Sequence, residues 1–216
     1  MERKRSYDDG CAFAQALDLV GERWALLVVR ELMFGARRFS DLKRTLPGIA
    51  TNVLSQRLAG LEDAGIVQQV DLPRPARGRA YALTPWGLAF REPLRVMGAW
   101  ASRNPRLAFD HPLSAAAAML SLGSMFDAGK ARGLAVAVDM RFPEGEFRVV
   151  VREGELSVEA GACGTADATV TGDQNAVLAV LYGGAAPEDV GLGVEGDEAA
   201  LGRLAGAFGA PVPLVR

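Results

Sequence analysis

"ATNVLSQRLAGLEDAGIV", residues 50–67, is the stretch on which the fold turns. At about 100° per residue, Ala50, Leu54, Leu58 and Leu61 share one face of a helix, and Asn52, Ser55, Gln56 and Ala59 lie opposite. Gly65 ends the helix, and Ile66-Val67 opens a strand. A solubilising helix would carry Lys and Glu on its outer face, whereas this one carries short amides and a hydroxyl. Asn and Gln hold a donor and an acceptor side by side and match adenine's paired groups in the major groove. In isolation such a helix reads as an ordinary polar face. Its neighbours decide otherwise.

Upstream, Phe13, Ala16, Leu17 and Val20 form one helical stripe, Gly21 breaks it, and Trp24, Leu27, Val28 and Leu32 begin a second. In "ARRFSDLKRTLPGI", residues 36–49, Ser40 is the expected N-cap of a short helix that Pro47-Gly48 terminates. Downstream, "VQQVDL" and "RAYALT" read as two strands joined by "PRPARG". Thr84-Pro85 caps and opens a long helix expected to reach Ser102, with Pro93 kinking or breaking it. Helices, a hairpin with a basic tip and a closing helix, in that order, make a winged helix-turn-helix. The helix from Ala50 would lie in the major groove of double-stranded DNA.

The basic residues sit where this reading needs them. Arg74, Arg77 and Arg79 crowd the hairpin tip and suit phosphate contact or insertion into the minor groove. Arg37, Arg38, Lys43 and Arg44 are expected backbone contacts, with Ser40 beside them. Thr51, Asn52, Ser55, Gln56 and Arg57 complete the set of residues expected to meet DNA.

"CAFAQALDLVGERWALLVVRELMFGARRFSDLKRTLPGIATNVLSQRLAGLEDAGIV", then "YALTPWG", then Trp100, resembles the HxlR-type transcriptional regulators over residues 11–103. The resemblance implies a homodimeric winged helix protein, usually a repressor, on inverted-repeat sites. It places base reading on Thr51, Asn52, Ser55 and Gln56, and a dimer surface on Phe13–Val20 and Leu88–Trp100. Family members usually have a capping Ser where this chain has Ala50, so Thr51 is the alternative cap. Cys11 matches the position at which some members sense oxidants or electrophiles. Reactive thiols need a depressed pKa and exposure, whereas most cysteines are simply buried.

Charge divides the chain. Residues 1–107 carry 17 Lys and Arg against 11 Asp and Glu, and residues 108–216 carry 7 against 15. A basic half can meet a polyanion that would repel an acidic one. The proline-containing stretch "NPRLAFDHPLS", residues 104–114, marks the expected boundary. A DNA-binding and dimerisation domain is expected over 1–106 and a ligand-binding α+β domain over 107–216. Cys11 and Cys163 make no disulfide framework, and no apolar run reaches the roughly 18 residues of a membrane span, so a cytoplasmic protein is expected.

Past the junction, "GLAVAVDMRF", "EFRVVVRE", "ELSVEA", "ADATVTG" and "VGLGVEG" read as five strands, and three apolar segments as helices. The expectation is an α+β domain with an antiparallel sheet. Met119, Leu122, Met125, Phe126, Met140, Phe142, Leu178 and Leu181 are either plain core or the lining of a cavity. "ADATVTGDQNAVLAVLYGG" with "VGLGVEGDEAALGRLAGAF" resembles the sterol carrier protein type 2 family. That resemblance implies an apolar tunnel able to hold a fatty acyl chain or similar lipid.

"GLGVEG" spells a dinucleotide fingerprint but lacks a surrounding βαβ unit. His111 is the only histidine, so no metal site, cofactor or catalytic triad is expected, nor any enzyme activity. The leading expectation is a repressor modulated by an apolar small molecule. The alternatives are a thiol switch at Cys11 and a lipid carrier whose winged helix does not bind DNA.

Overall fold

The computed structural model describes residues 6–72, 77–106, 111–162 and 164–209. Its packing divides into two compact units, Met1–Glu92 and Pro93–Arg216. Among the described residues no helix is long and apolar enough to cross a membrane.

The first unit holds α1 (Ala12–Val20), α2 (Ala25–Glu31), α3 (Phe39–Thr45), α4 (Thr51–Asp63), β1 (Val67–Asp71), β2 (Arg79–Leu83) and α5 (Pro85–Leu88). Leu54, Leu58 and Leu61 of α4 are buried with Val28, Val29, Leu42 and Leu46. Burying each leucine stabilises the fold by about 1.5–3 kcal/mol, which fixes the roll of α4 about its axis. The helix ends in a Schellman motif. Gly65, at φ +69, donates to the Glu62 carbonyl, and Ile66 N–H reaches the Leu61 carbonyl, both at 2.9 Å.

β1 and β2 pair antiparallel, Val67 opposite Leu83 through Asp71 opposite Arg79. A bridge between Arg37 and Tyr81 adds a short third edge. Thr84 caps α5 as expected: its hydroxyl oxygen accepts from Gly87 N–H at 3.0 Å and donates to the Gly65 carbonyl at 2.7 Å. A Cβ on Gly87 would stand 2.2 Å from the Ile66 carbonyl oxygen, so only glycine fits.

Four sequence expectations shift. The expected long helix is two, α5 and α6 (Arg91–Ala101). The break precedes Pro93, which occupies the first turn of α6, where its missing N–H costs nothing. Ser40 is not an N-cap. α3 begins at Phe39, and the Asp41 carboxylate accepts from Arg38 N–H at 3.4 Å, so an acidic side chain reaching back does that work. Thr51 is the first residue of α4, whose N-cap Ala50 offers no side-chain bond. The packing division falls inside α6, ahead of the proline-containing junction. The reason is local: Ser124 Oγ donates to the Arg95 carbonyl at 3.0 Å, and a Cβ on Gly98 would come within 2.6 Å of that hydroxyl.

The second unit adds α7 (Ala115–Met125), β3 (Val136–Phe142), β4 (Gly145–Arg152), β5 (Glu155–Ala160), β6 (Ala168–Thr171), α8 (Gln174–Gly183), β7 (Gly193–Gly196) and α9 (Ala199–Ala205). A single turn of tighter helix, Glu188–Val190, precedes β7. The sheet order is β5-β4-β3-β6-β7. It is mixed rather than antiparallel, because β6 runs parallel to β3. The chain between β5 and β6 returns across the sheet, where the Gly164 carbonyl accepts from the Arg148 guanidinium at 3.3 Å. Val136, Val138, Met140 and Phe142 supply the apolar face. On the opposite face Asp139 and Arg148 form a buried two-pronged ion pair at 2.8 and 2.9 Å.

Candidate nucleic-acid interface

Burial of Leu54, Leu58 and Leu61 turns the other side of α4 outward. Thr51, Asn52, Ser55, Gln56 and Ala59 are all exposed and form one row. Ser55 Oγ donates to the Thr51 carbonyl one turn back, at 3.1 Å, so it rests in place without blocking the row. An α-helix fits the major groove, and amides and hydroxyls are the groups that bond base edges there.

The wing is fastened close to the start of α3. Arg37 N–H donates to the Tyr81 carbonyl at 2.9 Å, and Tyr81 N–H returns the bond at 2.8 Å. The Arg38 guanidinium donates to the Arg77 carbonyl at 2.6 Å. Arg77 and Arg79 are exposed at the wing, whereas Arg74 lies outside the described residues. The structure therefore brings Arg38 to Arg77, with Arg79 exposed two residues further along the wing.

The remaining basic residues divide into outward and inward groups. Arg44 is exposed and pairs with Asp41 at 3.1 Å. Arg37 is half-buried and its Nε donates to the Glu31 carbonyl at 3.2 Å. Lys43 turns inward as well, its ammonium donating to the Ile49 carbonyl just before α4. Ser40 is exposed on α3. Arg57, expected among the DNA-binding residues, lies beside the exposed row rather than in it: only 15% of its side chain is exposed, and its guanidinium meets Glu22 at 3.3 Å.

The helices expected to pair with a second copy show apolar side chains to solvent. Phe13 on α1 is 71% exposed and Leu88 on α5 44%. α6 buries no residue; Val96, Met97 and Trp100 are exposed, Trp100 at 73%. Cys11 stands exposed as the N-cap of α1. Backbone N–H groups of Ala14 and Phe13 at the helix start hold its thiol below the ordinary cysteine range.

In the second unit, Met119, Leu122, Met140, Phe142 and Leu181 are buried, and Met125, Phe126 and Leu178 are half-buried. Phe126 and Tyr182 both meet Phe208 edge-on, at 6.3 and 5.7 Å between ring centres. Sequence reasoning missed the polar point among them: the Tyr182 hydroxyl and Ser121 Oγ lie 3.0 Å apart. Burial pushes the Tyr182 phenol up, and the Ser121 bond pulls it partly back. Tyr182 sits one helical turn past Leu178, which was the available signal. Among the described residues no group of three or more His, Cys, Asp or Glu could hold a metal ion.

Residues 19–107 match the family model described as HxlR-like helix-turn-helix. Residues 113–214 match one described as alkyl sulfatase C-terminal, where the sequence had suggested a sterol carrier. The HTH-type regulator YvaP of Bacillus subtilis (strain 168) is 36% identical over 90 residues, 42% of this chain and 83% of YvaP. YodB of the same organism is 36% identical over 88 residues, 41% of this chain and 79% of YodB. The solved reduced form of YodB from B. subtilis is 34% identical, with a TM-score of 0.40, covering 44% of this chain and 95% of its own.

Proposed function

Because the chain belongs to the HxlR-like helix-turn-helix family of transcriptional regulators, we propose that it is a sequence-specific DNA-binding repressor, active as a homodimer on an inverted-repeat operator. The observation that carries this is the exposed row Thr51, Asn52, Ser55 and Gln56 on α4, with Arg77 and Arg79 displayed on a wing tied to α3. Two copies would set two such helices in successive major grooves about one turn of duplex apart. Phe13 on α1 and, separately, Val96, Met97 and Trp100 on α6 are exposed apolar side chains of the kind that a second copy covers. Residues 1–106 would bind DNA and dimerise, and residues 107–216 would take an apolar, lipid-like small molecule that modulates binding. Met119, Met125 and Met140 suit ligands of varied shape, and the Tyr182–Ser121 pair offers one polar point. Such a ligand shifts DNA affinity only as far as it prefers one dimer shape over the other.

Fluorescence anisotropy of the purified protein on the DNA upstream of its own gene, across a salt series and against scrambled DNA, tests the reading. Tight binding to the native sequence with a steep salt slope is expected. Equal affinity for scrambled DNA would argue against it and favour the lipid carrier. Organic extraction and mass spectrometry of the same preparation would then look for retained lipid.

Cys11 favours a second reading, a thiol switch. It is exposed, and the start of α1 lowers its pKa, so more thiolate is present at neutral pH than for an ordinary cysteine. Peroxide should then change DNA affinity of the wild type and spare Cys11→Ser. An identical response in both would sink the switch.

A further inference from the structure

Gln56 does not stand alone on the exposed row. Its side-chain oxygen Oε1 accepts from the Arg57 guanidinium at 3.2 Å. The same guanidinium reaches the Glu22 carboxylate at 3.3 Å, in the turn directly after α1. Arg57 is largely covered, while Gln56 is open. A guanidinium has five donors and no acceptor, so the only atom of a glutamine amide it can hold is the oxygen. The amide nitrogen is then what Gln56 offers outward.

We propose that Arg57 is a positioning residue that sets the specificity of Gln56. With Oε1 drawn to Arg57, Gln56 meets base edges chiefly through its amide donors. The paired donor and acceptor of adenine, N6 and N7, want both amide atoms. Guanine presents two neighbouring acceptors, O6 and N7, and suits a donor-only head. The relay Glu22–Arg57–Gln56 therefore directs this position of the operator to guanine over adenine. Glu22 is more than half exposed, so its hold on Arg57 is the weaker, salt-sensitive link. The inference rests on the DNA-binding reading above and adds to it the base that one residue selects.

The test is selection from a pool of random duplexes with full-length wild-type protein, Gln56→Ala, Arg57→Met and Glu22→Gln, followed by anisotropy on the selected site with each base at each position. In the wild type, the position whose preference vanishes in Gln56→Ala should prefer guanine over adenine by about five-fold or more, the lower range for a base-specific pair. Arg57→Met should move that position towards adenine, and Glu22→Gln should move it the same way by less. Arg57 Nε is buried without a hydrogen-bond partner, so an apolar replacement should fold, as a thermal melt would check. Should Arg57→Met not fold, Glu22→Gln carries the test. Adenine preferred at that position in the wild type would overturn the proposal, as would a preference unmoved by both substitutions. Selected sites whose preferences all survive Gln56→Ala would overturn it while leaving DNA binding intact. No enrichment by the wild type would overturn both together.

Discussion

The Arg38 guanidinium donates to the Arg77 carbonyl at 2.6 Å, so one basic residue at the start of α3 fixes where another stands on the wing. On the proposed function Arg77 meets phosphate and Arg38 holds it in place, and salt separates the two roles. Arg77→Ala should weaken binding to all sequences and flatten the salt dependence, by about 0.9 in slope for each phosphate no longer neutralised. Arg38→Ala should weaken binding by about five-fold, the worth of a charged hydrogen bond discounted for exposure, with a smaller change in slope. Anisotropy at several salt concentrations reads both, and equal slopes for the two variants would refute the division.

Trp100 and Phe13 are large, apolar and exposed. Trp100→Glu should raise the dimer dissociation constant by about thirty-fold or more, the worth of a central aromatic at an interface. Sedimentation velocity over a concentration series checks this. A wild type that stays monomeric throughout would remove the homodimer.

Gly87→Ala places a methyl 2.2 Å from the Ile66 carbonyl oxygen and 3.2 Å from Leu83 Cβ. Overpacking of this kind costs about 1–3 kcal/mol, and backbone is among what must move. A lowered melting temperature is expected, and a melt identical to wild type would show that α5 sits further from β1 than described.

Asp139 and Arg148 are paired where little water reaches. Asp139→Asn removes the carboxylate charge that the Arg148 guanidinium holds at two points and should destabilise by about 3–5 kcal/mol. Replacing both residues by leucine should recover much of the loss. Urea unfolding followed by far-UV circular dichroism measures it. A double variant no more stable than the single one would mean that the pair contributes more than its apolar replacement.

The parts legible in the sequence were those fixed within a turn or two of chain. The apolar spacing of Leu54, Leu58 and Leu61, the stop at Gly65 and the Thr84-Pro85 cap each depend on neighbours a few residues away. The exposed row on α4 followed directly, because burying one face of a helix decides what the other presents. Partners distant in sequence were not legible. Nothing near Arg57 in the chain points to Glu22, 35 positions earlier, beside it. Nothing in the sequence around Lys43 announces the Ile49 carbonyl against its ammonium. The parallel pairing of β3 with β6 was hidden for the same reason, since alternation within a strand carries no direction relative to a strand 30 residues on.

The Thr84 hydroxyl joins three elements at one point. It bonds the carbonyl of Gly65 where α4 stops, lies 3.3 Å from that of Ile66 where β1 starts, and caps α5. That point is a fulcrum. With Gly87 pressed against the same Ile66 carbonyl, little slack remains for α5 to tilt without tilting α4 and the wing with it. A force applied at α5 is thus delivered to the exposed row of α4 as rotation of one stiff body rather than dissipated in a loop.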